Sequence, residues 1–289
     1  MASAATAHRA PRRLMPRAAW WGTCTALALL FAYPLYVMLA QSLKRPSEAA
    51  ATPPTLYPHS LSTENYSGLA SGEGLNVFDH VGNSALVSIG ATLATVVLST
   101  LGGYAFARLR FPGSNVVFFA TLATFMIPFQ AIITPLYIVL KELGLQNSLL
   151  GLAIVYTTFQ LPFGLFLMRN SFAAIPASLE EAALVDGCGT LGALWRVMLP
   201  VAVPGLITTA LFTFFTAWNE FFAALILISD QAKFTLPVAL TLISSGVFGS
   251  VNWGLLQAGV ATTIVPCIVI YLVLQRYYVG GLLSGAVKQ

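Results

Sequence analysis

The residues whose types and spacing could do chemistry are concentrated in one polar segment between two long apolar runs. From residue 178 to 204 the segment reads SLEEAALVDGCGTLGALWRVMLPVAVP. Ser178 and Glu181 have the spacing of a capping box, in which each side chain accepts a hydrogen bond from the other residue's backbone N–H. Gly187 suits a helix end in the left-handed conformation. The pattern therefore predicts a short capped helix that a glycine ends.

A second short helix is predicted from Leu191 to Met198, with Thr190 as its cap and an end before Pro200. Helices of two turns are marginal in water and need a surface to pack against. Small and apolar side chains follow helical spacing on the first helix and predict a contact face, made of Leu179, Ala182 and Ala183. The residues alone leave two interpretations open: a structural loop in which Glu181 caps its own helix, or a helix that docks on a partner.

Glu220 is the only acidic residue predicted to lie inside an apolar run, about 24 Å from Pro204 along a helix. An ionisable residue within a membrane is a candidate for function. The structural alternative is that Glu220 and the threonines on its face, Thr209, Thr213 and Thr216, bond to their own backbone or to neighbouring helices. The candidate path residues are Gln130, Gln160, Thr216, Asn219 and Glu220.

Other kinds of chemistry find little support in the sequence. None of the four lysines follows a glycine, so the chain has no GK[ST] phosphate loop and is not itself an ATPase. The three cysteines and three histidines are scattered, which predicts neither a metal site nor a disulfide framework. A membrane-embedded enzyme would need a cluster of His, Cys or carboxylate side chains in the apolar runs, and the runs contain none.

A strongly apolar chain carries these residues. Hydrophobic residues make up 57% of it and charged residues 8%, whereas about a quarter of the residues of a soluble domain are charged. A run of about 20 apolar residues crosses a bilayer, and a spanning segment must be helical because lipid cannot satisfy the backbone. The predicted fold class is an all-α integral membrane protein with six transmembrane helices, at 20–40, 82–107, 115–140, 149–169, 204–228 and 255–275.

The distribution of basic residues predicts the topology. With the N-terminus inside, ten of the 14 lysines and arginines lie on the inner side, which agrees with the positive-inside rule. The even number of spans then places the C-terminus inside as well. The formal charge of +4 follows from topology and gives no reason to expect a nucleic-acid partner.

The chain divides into a cytoplasmic basic tail (1–19), a first helix (20–40), an extracytoplasmic segment (41–80), a five-helix core (81–275) and a C-terminal tail (276–289). The first run is too long for the core of a cleaved signal peptide, so we interpret it as a transmembrane helix. The proline-rich segment 41–80 predicts an irregular connection. The core contains the polar loop 171–203 and an outer loop before the last helix, which we expect to lie along the membrane surface.

The polar loop resembles the EAA motif of importer-type ABC permeases. The matching residues are Glu181, Ala182, Ala183, Asp186, Gly187, Val197, Leu199, Pro200 and Pro204. Three further stretches resemble the carbohydrate-uptake branch of that family, in the half that includes the smaller membrane subunit of maltose transporters. They are AWNEFFAALILISD (217–230), TLP (235–237) and QRYYVGGLLSGAVKQ (275–289).

The resemblance implies a type I ABC importer permease fold in a bacterial or archaeal cytoplasmic membrane. It implies three kinds of protein partner: a second, homologous permease subunit, two copies of a cytoplasmic ATPase and an extracytoplasmic binding protein. ATP and Mg²⁺ would bind to the ATPase, and this chain would need no cofactor. The residues that would couple it to the ATPase are Glu181, Ala182, Ala183, Asp186, Gly187, Leu199 and Pro200.

We therefore predict the membrane-spanning subunit of an ATP-driven importer for a sugar or sugar-like solute. An ion-coupled secondary transporter that uses Glu220 is the alternative within the same physical class. A membrane-embedded enzyme is the alternative from another class. The sequence does not specify which sugar is carried.

Overall fold

The computed structural model describes residues 17–51, 53–71, 76–245 and 251–286, and side chains as far as residue 275. Every regular element in these ranges is a helix. Residues 1–16 of the predicted basic tail and 287–289 of the predicted C-terminal tail lie outside the described residues. In chain order the helices are α1 (Arg17–Ser42), α2 (Pro46–Ala49), α3 (Glu64–Ser71), α4 (Val77–Arg108), α5 (Ser114–Thr124), α6 (Phe129–Glu142), α7 (Leu149–Ala173), α8 (Ala177–Val185), α9 (Thr190–Ala193), α10 (Leu199–Asn219), α11 (Phe222–Leu227), α12 (Leu236–Ser244) and α13 (Trp253–Ala286).

Five of the described helical segments are long and apolar enough to cross a membrane. They are α1, α4, α7, a continuous segment from Thr190 to Asn219 that ends in α10, and α13 as far as Gln275. The predicted span 204–228 is therefore wrong at both ends. The helix begins at Thr190, within the predicted polar loop, and ends before Glu220.

The predicted span 115–140 is not one straight helix. It forms α5 and α6, whose axes meet at 100°, so the described spans number six only if this bent pair counts as one. Pro128 lies directly before α6 with extended backbone angles of φ −60° and ψ 126°. A proline cannot donate a backbone hydrogen bond and disfavours a helical conformation in the preceding residue, which accounts for the break.

Close contacts of small residues hold α4, α7 and α10 together. A Cβ atom added to Gly103 of α4 would lie 2.6 Å from the Cβ atom of Met168 in α7. A Cβ atom added to Gly205 of α10 would lie 1.9 Å from the Oγ atom of Ser171 in α7. Such small residues let helix backbones approach closely in a membrane, where packing replaces the hydrophobic effect. These three helices form the centre of the bundle.

The segment 41–80, predicted to be extracytoplasmic and irregular, contains two short helices, α2 and α3, and is held together by polar contacts. The Asn65 side chain donates hydrogen bonds to the carbonyl oxygens of Ser42 (2.9 Å) and Lys44 (2.7 Å). Lys44 is fully buried and donates to the carbonyl oxygen of Thr55. The polar residues of this segment thus hold it against the outer end of α1.

The described part of the loop before α13 packs against the bundle. Its helix α12 contacts α4 and α13, and Leu236 and Ala239 have no exposed area. Thr241 and Ser244 lie on the exposed side of α12, so the helix presents one apolar face to the bundle. The expected position of this loop along the membrane surface stays a prediction.

Candidate functional sites: a docking helix and an aromatic cavity

The predicted capping box does not form at the start of the polar loop. The helix α8, called the docking helix below, begins at Ala177 after Pro176, whose ring cannot cap it. Ser178 is therefore already inside the helix and exposed, and Glu181 is exposed as well. The prediction was wrong because Pro176, with its fixed φ of −57°, starts the helix before Ser178.

The docking helix ends at a glycine stop, as the sequence predicts. Gly187 has a φ of 86°, in the left-handed region. The N–H of Cys188 donates to the Ala183 carbonyl at 3.0 Å and the N–H of Gly187 donates to the Leu184 carbonyl at 3.1 Å. This pair of bonds is the Schellman arrangement, which satisfies carbonyl groups at a helix end.

The predicted second helix is not a separate element. Helix α9 begins at Thr190 with no side-chain cap, and a π turn (Leu194–Met198) joins it directly to α10. The N–H of Leu199 donates to the Leu194 carbonyl across this turn, and Pro200, which has no N–H, follows at once. The predicted end before Pro200 is wrong, because the wider turn carries the helix past the proline. Leu199 and Pro200 thus lie at the start of a transmembrane helix.

The two motif alanines lie on different faces of the docking helix. Ala183 is 6% exposed and faces the bundle, whereas Ala182 is exposed. The predicted common face of these alanines with Leu179 therefore does not exist. Val185, at 87% exposure, lies on the outward side with Ala182. The other predicted coupling residues on this turn, Glu181, Asp186 and Gly187, are exposed as well.

A cavity of about 430 Å³ lies between three parts of the helix bundle. Its walls come from the break between α5 and α6, from α7, and from the end of α10 with the start of α11. Four of the five predicted path residues line it: Gln130, Gln160, Thr216 and Glu220. The other lining residues are Phe125, Met126, Ile127, Pro128, Phe129, Tyr156, Phe159, Ala217 and Phe222. We call this space the aromatic cavity.

Asn219, the fifth predicted path residue, does not line the aromatic cavity. Its side-chain amide donates to the Phe215 carbonyl at 2.8 Å. The threonines expected to share a face with Glu220 also bond to their own helix: Thr209 donates to the Gly205 carbonyl at 2.9 Å and Thr216 to the Phe212 carbonyl at 2.8 Å. These contacts correspond to the structural alternative that the sequence left open for the threonines.

Glu220 lies at a helix break and not inside a continuous helix. Its backbone is extended, between the end of α10 and the start of α11. The carboxylate accepts hydrogen bonds from the N–H groups of Ala223 (2.9 Å) and Ala224 (3.2 Å) and from the Tyr156 hydroxyl (2.6 Å). Glu220 therefore satisfies the first amides of α11 and joins them to α7.

Sequence reasoning missed the aromatic half of this cavity. The ring of Phe129 packs edge-on against Phe159 at a centroid distance of 4.5 Å and against Phe222 at 6.2 Å. Phenylalanine is frequent in the third, fourth and fifth predicted spans, at exposed positions such as Phe119 as well as around the cavity, so composition could not separate the two kinds of position. The polar residues Gln130, Gln160, Thr216 and Glu220 were the part of the site that the sequence predicted.

The lining of the aromatic cavity is mainly apolar, with a few polar groups. Ring faces and edges surround a few amide, hydroxyl and carboxylate groups, which is the composition of a small-molecule site. No Lys or Arg is among its described lining residues. Across the part of the chain that the structure describes, no group of three or more His, Cys, Asp or Glu side chains could hold a metal ion.

The fold and these two sites define a class: a multi-pass helical membrane component with a cavity lined by aromatic residues between its helices and a short exposed helix at one end of its bundle. Residues 98–279, more than half of the chain, match the family described as binding-protein-dependent transport system inner membrane component. The chain belongs to this family, whose members are permease subunits of ABC importers and not enzymes.

Curated relatives match nearly the whole chain. The diacetylchitobiose uptake system permease protein DasC of Streptomyces coelicolor is 33% identical, covering 93% of this chain and 96% of that protein. The trehalose transport system permease protein SugB of Mycobacterium tuberculosis is 34% identical, covering 94% and 98%. A crystal structure of a bacterial ABC transporter involved in alginate import contains a chain with a TM-score of 0.76 and 25% identity, covering 92% of this chain and 99% of that one.

Proposed function

We propose that this chain is a membrane-spanning permease subunit of an ATP-driven, binding-protein-dependent importer of a neutral sugar or sugar-like solute. The aromatic cavity carries the solute assignment: ring faces suit the apolar faces of a pyranose, and the amides of Gln130 and Gln160 suit its hydroxyl groups. Relatives named for diacetylchitobiose and trehalose uptake support the same class of solute.

Glu220 has a structural role in the lining of this path. Three hydrogen bonds already engage its carboxylate, so it orients Tyr156 and the start of α11 beside the solute. An ion-coupled transporter would need a carboxylate that exchanges a proton or a cation, and this bonding pattern favours the structural role. Asn219 supports the path from outside the cavity.

In this proposal the ATPase binds to the docking helix. Glu181, Ala182 and Asp186 are exposed toward the partner, and the Gly187 stop holds the end of the helix. Ala183 packs on the bundle side, and Leu199 and Pro200 connect the turn to the membrane helix. ATP binding to the ATPase would favour one arrangement of the docking helix. The spans would shift with it, because they share the same conformational equilibrium.

The complete transporter contains this chain, a second homologous permease subunit, two ATPase copies that bind ATP and Mg²⁺, and an extracytoplasmic binding protein. Both termini of this chain lie on the cytoplasmic side. The distribution of basic residues supports that orientation.

The test is reconstitution of the complete transporter in liposomes with radiolabelled neutral disaccharides. We expect uptake that requires ATP, the ATPase and the binding protein together. Uptake by this chain without an ATPase would contradict the proposal and favour secondary transport. Uptake of acidic sugars in preference to neutral ones would contradict the solute class alone.

A further inference from the structure

Glu180, the carboxylate next to the motif glutamate, faces the bundle. Its Oε1 accepts a hydrogen bond of 2.5 Å from the Tyr104 hydroxyl, and its Oε2 lies 3.4 Å from the Nε atom of Arg108. That Nε atom makes no hydrogen bond within the described residues, so the second contact is an ion pair only. The side chains of Arg108 and Glu180 are 12% and 14% exposed, and salt screens a pair so buried only weakly. We call these three residues the inner link.

Arg108 is the last residue of α4, and it also reaches the end of α7. It donates a hydrogen bond of 2.7 Å to the Phe172 carbonyl and a second one to the Ile175 carbonyl. These carbonyls belong to the last turn of α7 and to the turn that leads into the docking helix. A cation is favourable there because the last carbonyls of a helix have no donor within the helix. One guanidinium therefore joins the ends of α4 and α7 to the start of the docking helix.

The inner link fixes which face of the docking helix is available to a partner. A helix of nine residues is marginal alone, and no side chain caps this one at its start. Glu180 and Ala183 are three residues apart and therefore lie on one face, which points to the bundle. Ala182 and Val185 consequently point outward. Without the inner link, this orientation would depend on the packing of Ala183 and on the contacts of the docking helix with α9 and the π turn.

The opposite end of α4 holds a second set of contacts. The His80 ring lies 2.9 Å from the Phe234 carbonyl, and the Asn83 amide donates to the carbonyls of Ala232 (2.8 Å) and Phe234 (3.0 Å). The N–H of Leu236 donates to the Ser84 hydroxyl oxygen at 2.8 Å. We call these contacts of His80, Asn83 and Ser84 with residues 232–236 the outer link. They attach the segment before α12 to the first turns of α4.

The two links are joined by one helix without a break. Residues 84 and 104 are about 30 Å apart at 1.5 Å per residue. Contact of the Gly103 backbone with Met168 makes α4 and α7 move together at the inner end. We propose that the inner link, α4 and the outer link form one positioning unit, which transfers displacement of the docking helix to residues 232–236 on the far side of the membrane. This proposal rests on the proposed function, since it needs an ATPase that moves the docking helix.

The experiment uses the complete transporter in liposomes and measures ATP hydrolysis and solute uptake in the same vesicles. Tyr104→Phe and Glu180→Gln each weaken the inner link with little change in shape. We expect solute taken up per ATP hydrolysed to fall about tenfold in each, the size of effect that loss of one hydrogen bond to a charged group produces. Hydrolysis continues, because the docking face remains. The effects of the two changes should not add in the double variant, because Tyr104 and Glu180 are in direct contact.

A second measurement reports on the far end of α4. Hydrogen exchange of residues 232–236 in the wild type is expected to change when ATP is trapped with vanadate, and to stop responding in the two variants. Tyr137→Phe and Glu142→Gln on α6 are matched controls, because their side chains lie outside both links, and they should keep the wild-type ratio and response.

Three results distinguish the positioning role from a merely structural role and from a failure of the proposed function. An unchanged ratio of uptake to hydrolysis in assembled Tyr104→Phe transporters overturns the proposal. So does an equal fall in hydrolysis and uptake, which is what a merely structural role would produce. Absence of ATP-dependent uptake in the wild type instead contradicts the proposed function, and this is known before any variant is measured. Tyr104→Phe removes a single hydroxyl, so the test still stands if Glu180→Gln does not assemble.

Discussion

Adjacent carboxylates in this protein have opposite environments. Glu180 is held by Tyr104 and Arg108 inside the bundle, whereas Glu181 is exposed beside it. Glu220, far along the chain, is held by Tyr156 and two backbone amides. A carboxylate with several donors is fixed in place, and a carboxylate in water is free to meet a partner. At the scale of residues, bonding partners therefore separate positioning groups from contact groups.

Removal of the Tyr156 hydroxyl tests the wall of the aromatic cavity. Tyr156→Phe leaves the Glu220 carboxylate with its two backbone donors and loses one charge-assisted hydrogen bond, which is worth about 1.5–3 kcal/mol. We expect a lower melting temperature of the transporter in detergent and a higher KM for uptake. Tyr137→Phe is the control, because its hydroxyl is at an exposed contact with Gln146. Equal melting temperatures of the two variants would contradict a bonded, buried Tyr156.

Glu48 should give the segment 41–80 a pH dependence. Its carboxylate accepts from the backbone N–H of His59 at 2.9 Å and also contacts the His59 ring and the Thr55 hydroxyl. The backbone hydrogen bond from His59 is the main reason that the pKa of Glu48 lies below its ordinary value of 4.5. A lowered pKa means that the ionised carboxylate stabilises the folded segment above pH 4.5, and that this contribution is lost as the pH falls through the lowered pKa.

The measurement is hydrogen exchange of residues 53–62, corrected for the intrinsic effect of pH. Protection should be constant from neutral pH down to about pH 5 and should decrease below it. In Glu48→Gln the same residues should be less protected at neutral pH and should show no such decrease. A decrease that persists in Glu48→Gln would mean that another group is responsible.

At the scale of elements, hydropathy and spacing predicted which segments are apolar but not where they bend. The sequence predicted α1, α4 and α7 within about five residues, because a long apolar run has one solution in lipid. It also predicted the start of α13, but not its end, since α13 continues to Ala286 through most of the predicted C-terminal tail. The sharp angle between α5 and α6 at Pro128 and the end of α10 before Glu220 were missed. A count of apolar residues does not show where the chain changes direction. These breaks bring the aromatic rings together, so half of the cavity was beyond sequence reasoning.

The docking helix shows the same limit on a smaller scale. Gly187 was predicted because only a glycine adopts a left-handed stop at no steric cost. The predicted cap at Ser178 was wrong, because capping depends on where the helix starts, and this helix starts after Pro176, before Ser178. The partner of Glu180 lies 76 residues away on α4, a separation that no local pattern can reveal.

Gly187→Ala tests the stop of the docking helix. A Cβ atom there meets no neighbour within 4 Å, so the cost is purely that of the left-handed backbone, about 1–2 kcal/mol. We expect lower uptake per ATP as the stop is lost, and partial recovery in Gly187→Asn, since asparagine tolerates this conformation. Gly189→Ala is the matched control two residues on, with a φ of −72° and equally open space. Equal uptake in the Gly187→Ala and Gly189→Ala variants would remove the argument from backbone conformation.

At the scale of the whole molecule, the helices fall into a packed centre and a loose margin. In the most apolar 18-residue stretch of α7, half of the residues are buried inside the bundle, compared with 6% in that of α1. Helix α1 packs against α13. Helix α4 packs against α7 and α10 in the centre and touches the docking helix and the outer segment at its two ends. We therefore expect this packed centre to move as one body, while α1 remains peripheral.

The close approach of α4 and α7 gives a test of this body as a whole, with two glycines of α4 that should respond in opposite directions. A Cβ atom at Gly103 would lie 2.6–2.9 Å from Met168 and the Arg169 nitrogen, where backbone cannot move aside. Gly103→Ala should force the helices apart, cost about 1–3 kcal/mol as an overpacked contact does, and lower both the melting temperature and uptake. Gly82 lies in the same helix with no atom within 4 Å, so Gly82→Ala should keep or raise the melting temperature through its better helix propensity. Thermal unfolding of both variants in one detergent is the measurement. A loss of stability in both, or in neither, would contradict the α4–α7 contact at Gly103 as the reason for the effect.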